Sequence, residues 1–144
     1  MTAGVVIENY RQLAFVSSLL AGFAFTFYGV LLTTSTAHRV ASWACFLAVA
    51  ASIIFVLVTL GNTLAAVAAS SLPRDNPMPP SIAAQKTPLD SCFLFGIALL
   101  FASFGLGGWI RSRQLGVATT VAASVGLACV FVVLIPYISI RWFA

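Results

Sequence analysis

The chain has 144 residues, of which 61% are hydrophobic and only 7% charged, with a net charge of +4 and a mean hydropathy of +1.08. A water-soluble domain carries about 25% charged residues, so these figures exclude one. They also exclude a nucleic-acid binder, which needs a basic stripe interleaved with aromatics, and they define a single integral membrane domain over 1–144.

Residues 1–12 are expected to form a short lead-in, with Tyr10 and Arg11 at the headgroup level and Glu8 as a wetted interfacial carboxylate. The first apolar run, Leu13–Leu32, has no charge over twenty residues; at helical rise that is about 30 Å, the thickness of a bilayer's hydrocarbon core. It is too long for the apolar region of a cleavable signal and is taken as a retained span. Ala14, Ser18, Gly22 and Thr26 recur every four residues, with Ser17, Ala21 and Gly29 beside them. Such a stripe either packs against other helices or lines a path. Thr33–Arg39 then forms a polar turn that holds the single histidine, His38, expected at the surface without a metal.

The second run, Ala41–Ala69, is longer than a bilayer requires, so the helix tilts or protrudes. Trp43 suits an interfacial anchor, and Ala44, Ala48 and Ser52 repeat at four-residue spacing. Asn62 is the most polar side chain in any expected span. It is expected to make an interhelical or interfacial hydrogen bond, with a pore or ligand role as the alternative. Residues 70–88 contain five of the six prolines and form a proline-rich loop, placed in water by Arg74, Asp75 and Lys86. Asp90 is the expected N-cap of the third helix. The third span is Ser91–Ile110, with Gly96, Gly105, Gly107 and Gly108, and a basic turn follows at 111–114. The fourth, Gly116–Ile140, carries Pro136 near its end, and Tyr137, Arg141, Trp142 and Phe143 form an aromatic-basic anchor.

The fold expected is therefore all-α: a multi-pass membrane protein with four transmembrane helices in two hairpins. An even number of spans puts both termini and the 70–88 loop on one side, with Arg11, Arg74, Lys86 and Arg141. The other side has Arg39, Arg111 and Arg113, so the positive-inside rule favours cytoplasmic termini by one residue.

No expected span contains Asp, Glu, Lys, Arg or His, which argues against transport coupled to a titrating carboxylate at membrane depth. Metalloprotease, phosphate-loop and serine-hydrolase motifs are absent, and Cys45, Cys92 and Cys129 are too far apart for a thiol pair. No enzymatic activity, cofactor or metal site is expected. What remains is a chain that can pack in the lipid bilayer, assemble and conduct. Side chains fill the centre of a single four-helix subunit, so a channel requires a homo-oligomer.

The stretch Ser17-Ser18-Leu19-Leu20-Ala21-Gly22-Phe23-Ala24 resembles the S-x-L-L-S-G-F-A stretch in the pore helix of the Orai calcium-release-activated channels. The resemblance covers about eight residues. It implies a ring of subunits around a pore lined by the first helix, with Phe15, Leu19, Phe23, Thr26 and Val30 in the pore-lining positions. The family's filter glutamate falls on Val30 and its basic inner-pore position on Phe15, so calcium selectivity has no visible basis. The function expected is a homo-oligomeric membrane channel of unassigned ion. The alternative is a non-conducting scaffold or accessory subunit that binds a partner protein through its helices or the 70–88 loop, and a small transporter of neutral solutes is a third.

Overall fold

The structure, a computed structural model, describes residues 3–34, 39–71 and 79–142. These form α1 (Ala3–Thr34), α2 (Arg39–Ser70), α3 (Pro80–Trp109) and α4 (Arg113–Trp142). Each contains a segment long and apolar enough to cross a membrane, and a helix satisfies its own backbone polar groups where lipid offers no partner. The chain is an all-α, multi-pass membrane protein.

Among the described residues, the helices do not close into a four-membered bundle. They stand in an open row, α1 on α2, α2 on α3 and α3 on α4. Near the end that carries the α3–α4 turn, α1 and α3 also touch: Phe104 meets Phe23 and Phe27 edge to face, with ring centroids 5.7 and 4.6 Å apart. Among the described residues, α4 packs on α3 alone.

The row is built on the small residues of α2. Ala44, Ala48, Ala51, Ser52, Phe55, Val58, Asn62, Ala66 and Ala69 are buried at three- and four-residue spacing. Small side chains let neighbouring backbones approach, and hydroxyls then reach across. Ser52 Oγ donates to the Ala21 carbonyl of α1 at 3.3 Å, and Ser103 Oγ of α3 donates to the Ala44 carbonyl at 3.0 Å. One turn beyond Ser52, on the side away from Ala44, Phe55 packs against Phe93, ring centroids 5.9 Å apart, in a core with Ala21, Ala24, Ala51 and Leu100. The Ala44-Ala48-Ser52 repeat is therefore a packing ridge.

The α3/α4 pair is held differently. Glycines alternate with large or hydroxyl side chains: Gly108 lies against Leu115 and Thr119, Gly116 against the Trp109 ring, and Gly126 against Phe101. Trp109 Nε1 donates to Thr120 Oγ1 at 3.0 Å, and Thr119 Oγ1 to the Gly105 carbonyl at 3.2 Å. At the turn, Ser112 Oγ accepts the Leu115 N–H at 3.1 Å, capping α4.

Several boundaries differ from those expected. The lead-in is helical from Ala3, and α4 begins at Arg113 and continues through Pro136. The largest change concerns the expected 70–88 loop: α3 starts at Pro80, so Asp90 lies ten residues inside the helix and does not cap it. Pro79 occupies the cap position and Pro80 the first helical one, where a fixed φ suits the helix and the missing N–H is no loss. Pro88 does sit within the helix. It removes one rung, to the Ala84 carbonyl, and both residues are exposed on the same side of α3. Prolines that read as breakers thus include one that starts a helix. His38, Arg74, Asp75 and Phe143 lie outside the described residues.

Candidate functional site

Along α1, the residues Val6, Tyr10, Ser17, Ala21, Ala24 and Leu31 are buried against the rest of the chain. The opposite face carries Phe15, Leu19, Phe23, Thr26 and Val30, all exposed. Of these, Phe23 also rests one edge on Phe104. Beside them Ser18, Gly22 and Gly29 are exposed too. A Cβ built on Gly22 or Gly29 would meet nothing within 4 Å, whereas the described glycines of α2, α3 and α4 each face a neighbouring side chain or backbone. Glycine within a helix costs about 1 kcal/mol relative to alanine. On α2–α4 close packing offsets that cost; at Gly22 and Gly29 nothing among the described residues does.

The hydroxyls on this face are turned to their own backbone. Ser18 Oγ donates to the Phe15 carbonyl at 2.8 Å, Thr26 Oγ1 to Gly22 at 2.9 Å and Thr33 Oγ1 to Val30 at 2.9 Å. Each hydroxyl has thereby committed its proton and presents lone pairs outward. The face therefore offers oxygen acceptors spaced between aromatic and aliphatic side chains, with no carboxylate at Val30.

A second polar feature lies near the other end of the row. Tyr10 on α1, Asn62 on α2 and Lys86 on α3 are 1%, 1% and 6% exposed, respectively. Leu89 packs on Gly61, next to Asn62, and Val6 and Tyr10 cluster with Ala65 and Ala66 one turn away. These contacts bring the three polar residues to neighbouring levels, with Asp90 half-buried one turn after Lys86. Asn62 Nδ2 donates to the Val58 carbonyl of its own helix at 2.9 Å, where an interhelical or interfacial bond was expected. Its Oδ1 has no partner among the described residues.

Ionisable groups do occur in the longer apolar helical segments that contain the expected spans. Glu8 and Arg11 fall in the apolar segment Gly4–Thr33, and Lys86 and Asp90 in Ala84–Trp109. All four lie within the first eleven residues of their helices, leaving the middle of each segment uncharged. Lys86, with Arg74 and Asp75, was expected in water as part of the proline-rich loop. A visible clue points the other way: Lys86, Phe93 and Leu100 recur every seven residues, and Lys86 and Leu100 are buried while Phe93 is half-buried. Among the described residues no group of His, Cys, Asp and Glu could hold a metal ion. Cys45 is half-buried, Cys92 and Cys129 are exposed, and all three are free thiols.

An unpaired buried acceptor is costly, whereas an apolar group of similar shape is not. Asn62→Leu is expected to leave thermal stability in detergent within about 1 kcal/mol of wild type, or to raise it. Asn62→Asp, which buries a carboxyl at the same point, is expected to lower it by about 2–3 kcal/mol.

No protein-family model, curated protein or solved structure matches the chain.

Proposed function

We propose that the chain is the subunit of a homo-oligomeric membrane channel in which the outer face of α1 surrounds the central axis. The observation that supports this is the pair of unfilled glycines, Gly22 and Gly29, on an exposed face where Ser18 and Thr26 also point outward. Small residues of this kind admit a close-packed neighbour, and copies of one face around a rotation axis form a closed ring. The row geometry suits such a ring. α1 stands at one edge and α4 at the other, and in the proposed ring the α1 edge is the one turned inward.

In that arrangement Phe15, Leu19 and Phe23 form apolar constrictions that gate by excluding water. Thr26 supplies a ring of hydroxyl oxygens between them and Val30. With valine at the latter position, strong divalent selectivity is not expected, and the conducted ion is left unassigned. The test is to image the purified protein in lipid and to record from it in planar bilayers. A ring with a central axis and unitary conductance is the expected result. A monodisperse monomer, or a closed ring without conductance, would replace the channel by a non-conducting scaffold.

A further inference from the structure

Between α1 and α2, towards the end where α1 begins and α2 finishes, lies an open groove of about 210 Å³ lined by Arg11, Ala14, Thr63, Ala66, Val67 and Ser70. We infer that this groove is a binding site for an anionic phospholipid, with the phosphodiester on Arg11 and one acyl chain running past Ala14, Ala66 and Val67. The inference does not depend on the oligomer proposed above.

Charge complementarity selects the occupant. Arg11 is exposed and has no hydrogen bond or ion pair among the described residues. The nearest carboxylate along the helix, Glu8, accepts instead from Gln12 Nε2 at 3.4 Å. A helical side chain leans towards the helix N-terminus, so the guanidinium extends towards the headgroup region, where its planar fork fits phosphate oxygens. Thr63 and Ser70 do not compete for the role of donor: their hydroxyls donate to the Thr59 and Val67 carbonyls, each at 2.7 Å. Below the cation the groove is floored by two alanines. Their short side chains leave room for the first methylenes of a chain whose remainder lies in the bilayer. A cation at the interface with an apolar channel leading inward from it matches the two ends of a lipid molecule, and a soluble anion would use only the first.

The experiment uses the full chain in neutral detergent. Retention of phosphatidylglycerol and of phosphatidylcholine with identical chains is compared by native mass spectrometry and by thermal shift. Wild type is expected to prefer phosphatidylglycerol roughly five-fold, the worth of one cationic side chain at an anionic membrane surface. Arg11→Gln is expected to abolish that preference and Arg11→Lys to keep most of it. Val67→Trp, a change at an exposed position that fills the groove, is expected to weaken retention of both lipids. Equal retention by wild type, or a preference that survives Arg11→Gln, would overturn the site. So would an equal thermal shift from glycerol phosphate, which has the headgroup chemistry without the chains.

Discussion

Gly108→Ala is expected to destabilise the α3/α4 pair by about 2–3 kcal/mol, the upper range for overpacking a close contact. A Cβ at that position would stand 2.8 Å from the Leu115 carbonyl oxygen and against the Thr119 side chain. A side chain moves aside at modest cost, but a backbone carbonyl moves only with its helix. Because α4 packs on α3 alone among the described residues, the damage stays local: α4 separates while α1–α3 keep their core. Trp109, whose ring lies against Gly116 and whose Nε1 donates to Thr120, then enters a more polar setting, and its fluorescence shifts to the red at a lower temperature than in wild type. Gly105→Ala is the control. A Cβ there meets Thr120 and Ala123 at ordinary distances of 3.7–3.8 Å, so its stability is expected to stay within about 0.5 kcal/mol of wild type or rise through helix propensity. Equal losses from both substitutions would mean that the close approach at Gly108 does not hold the pair.

Gly22→Leu is expected to have the opposite profile. Nothing in the chain lies within 4 Å of a Cβ there, and leucine is the better helix former by roughly 0.5–1 kcal/mol. The single subunit is therefore as stable as wild type or more so. The effect falls on assembly. A leucine on the face proposed to meet its own copies holds those copies apart, and conductance in planar bilayers is expected to drop by more than ten-fold, with the ring lost or widened in images. Thr26→Leu, on the same face, follows the same pattern. Conductance unaltered by both changes would remove α1 from the path, whatever the oligomeric state.

The number of helices and their approximate centres were legible because each is centred on an uncharged run long enough to cross lipid as a helix. The packing ridge of α2 was legible from Ala44, Ala48 and Ser52. The start of α3 was not, since Pro79, Pro80 and Pro88 mark a break when taken one at a time, although Pro80 is well placed to begin a helix. The burial of Lys86 was lost with that boundary. The glycines were the harder case. All the spans carry small residues at packing distance along the sequence, and spacing alone does not say which ridges are filled. Gly96 and Gly22 look alike in sequence; the first would set a Cβ 3.0 Å from the Phe55 ring, and the second faces open space.

The open row also bears on how the protein is made. Each helix after α1 rests chiefly on the helix before it in sequence, so contacts form between near neighbours in sequence, the arrangement that assembles fastest. As α2 enters the membrane it finds α1 already there. α3 then finds the exposed side of α2, and α4 the glycine-lined side of α3. After α1, no helix has to wait for a later one before a principal partner is present, and the last helix added is the one whose absence leaves the Phe55 core complete.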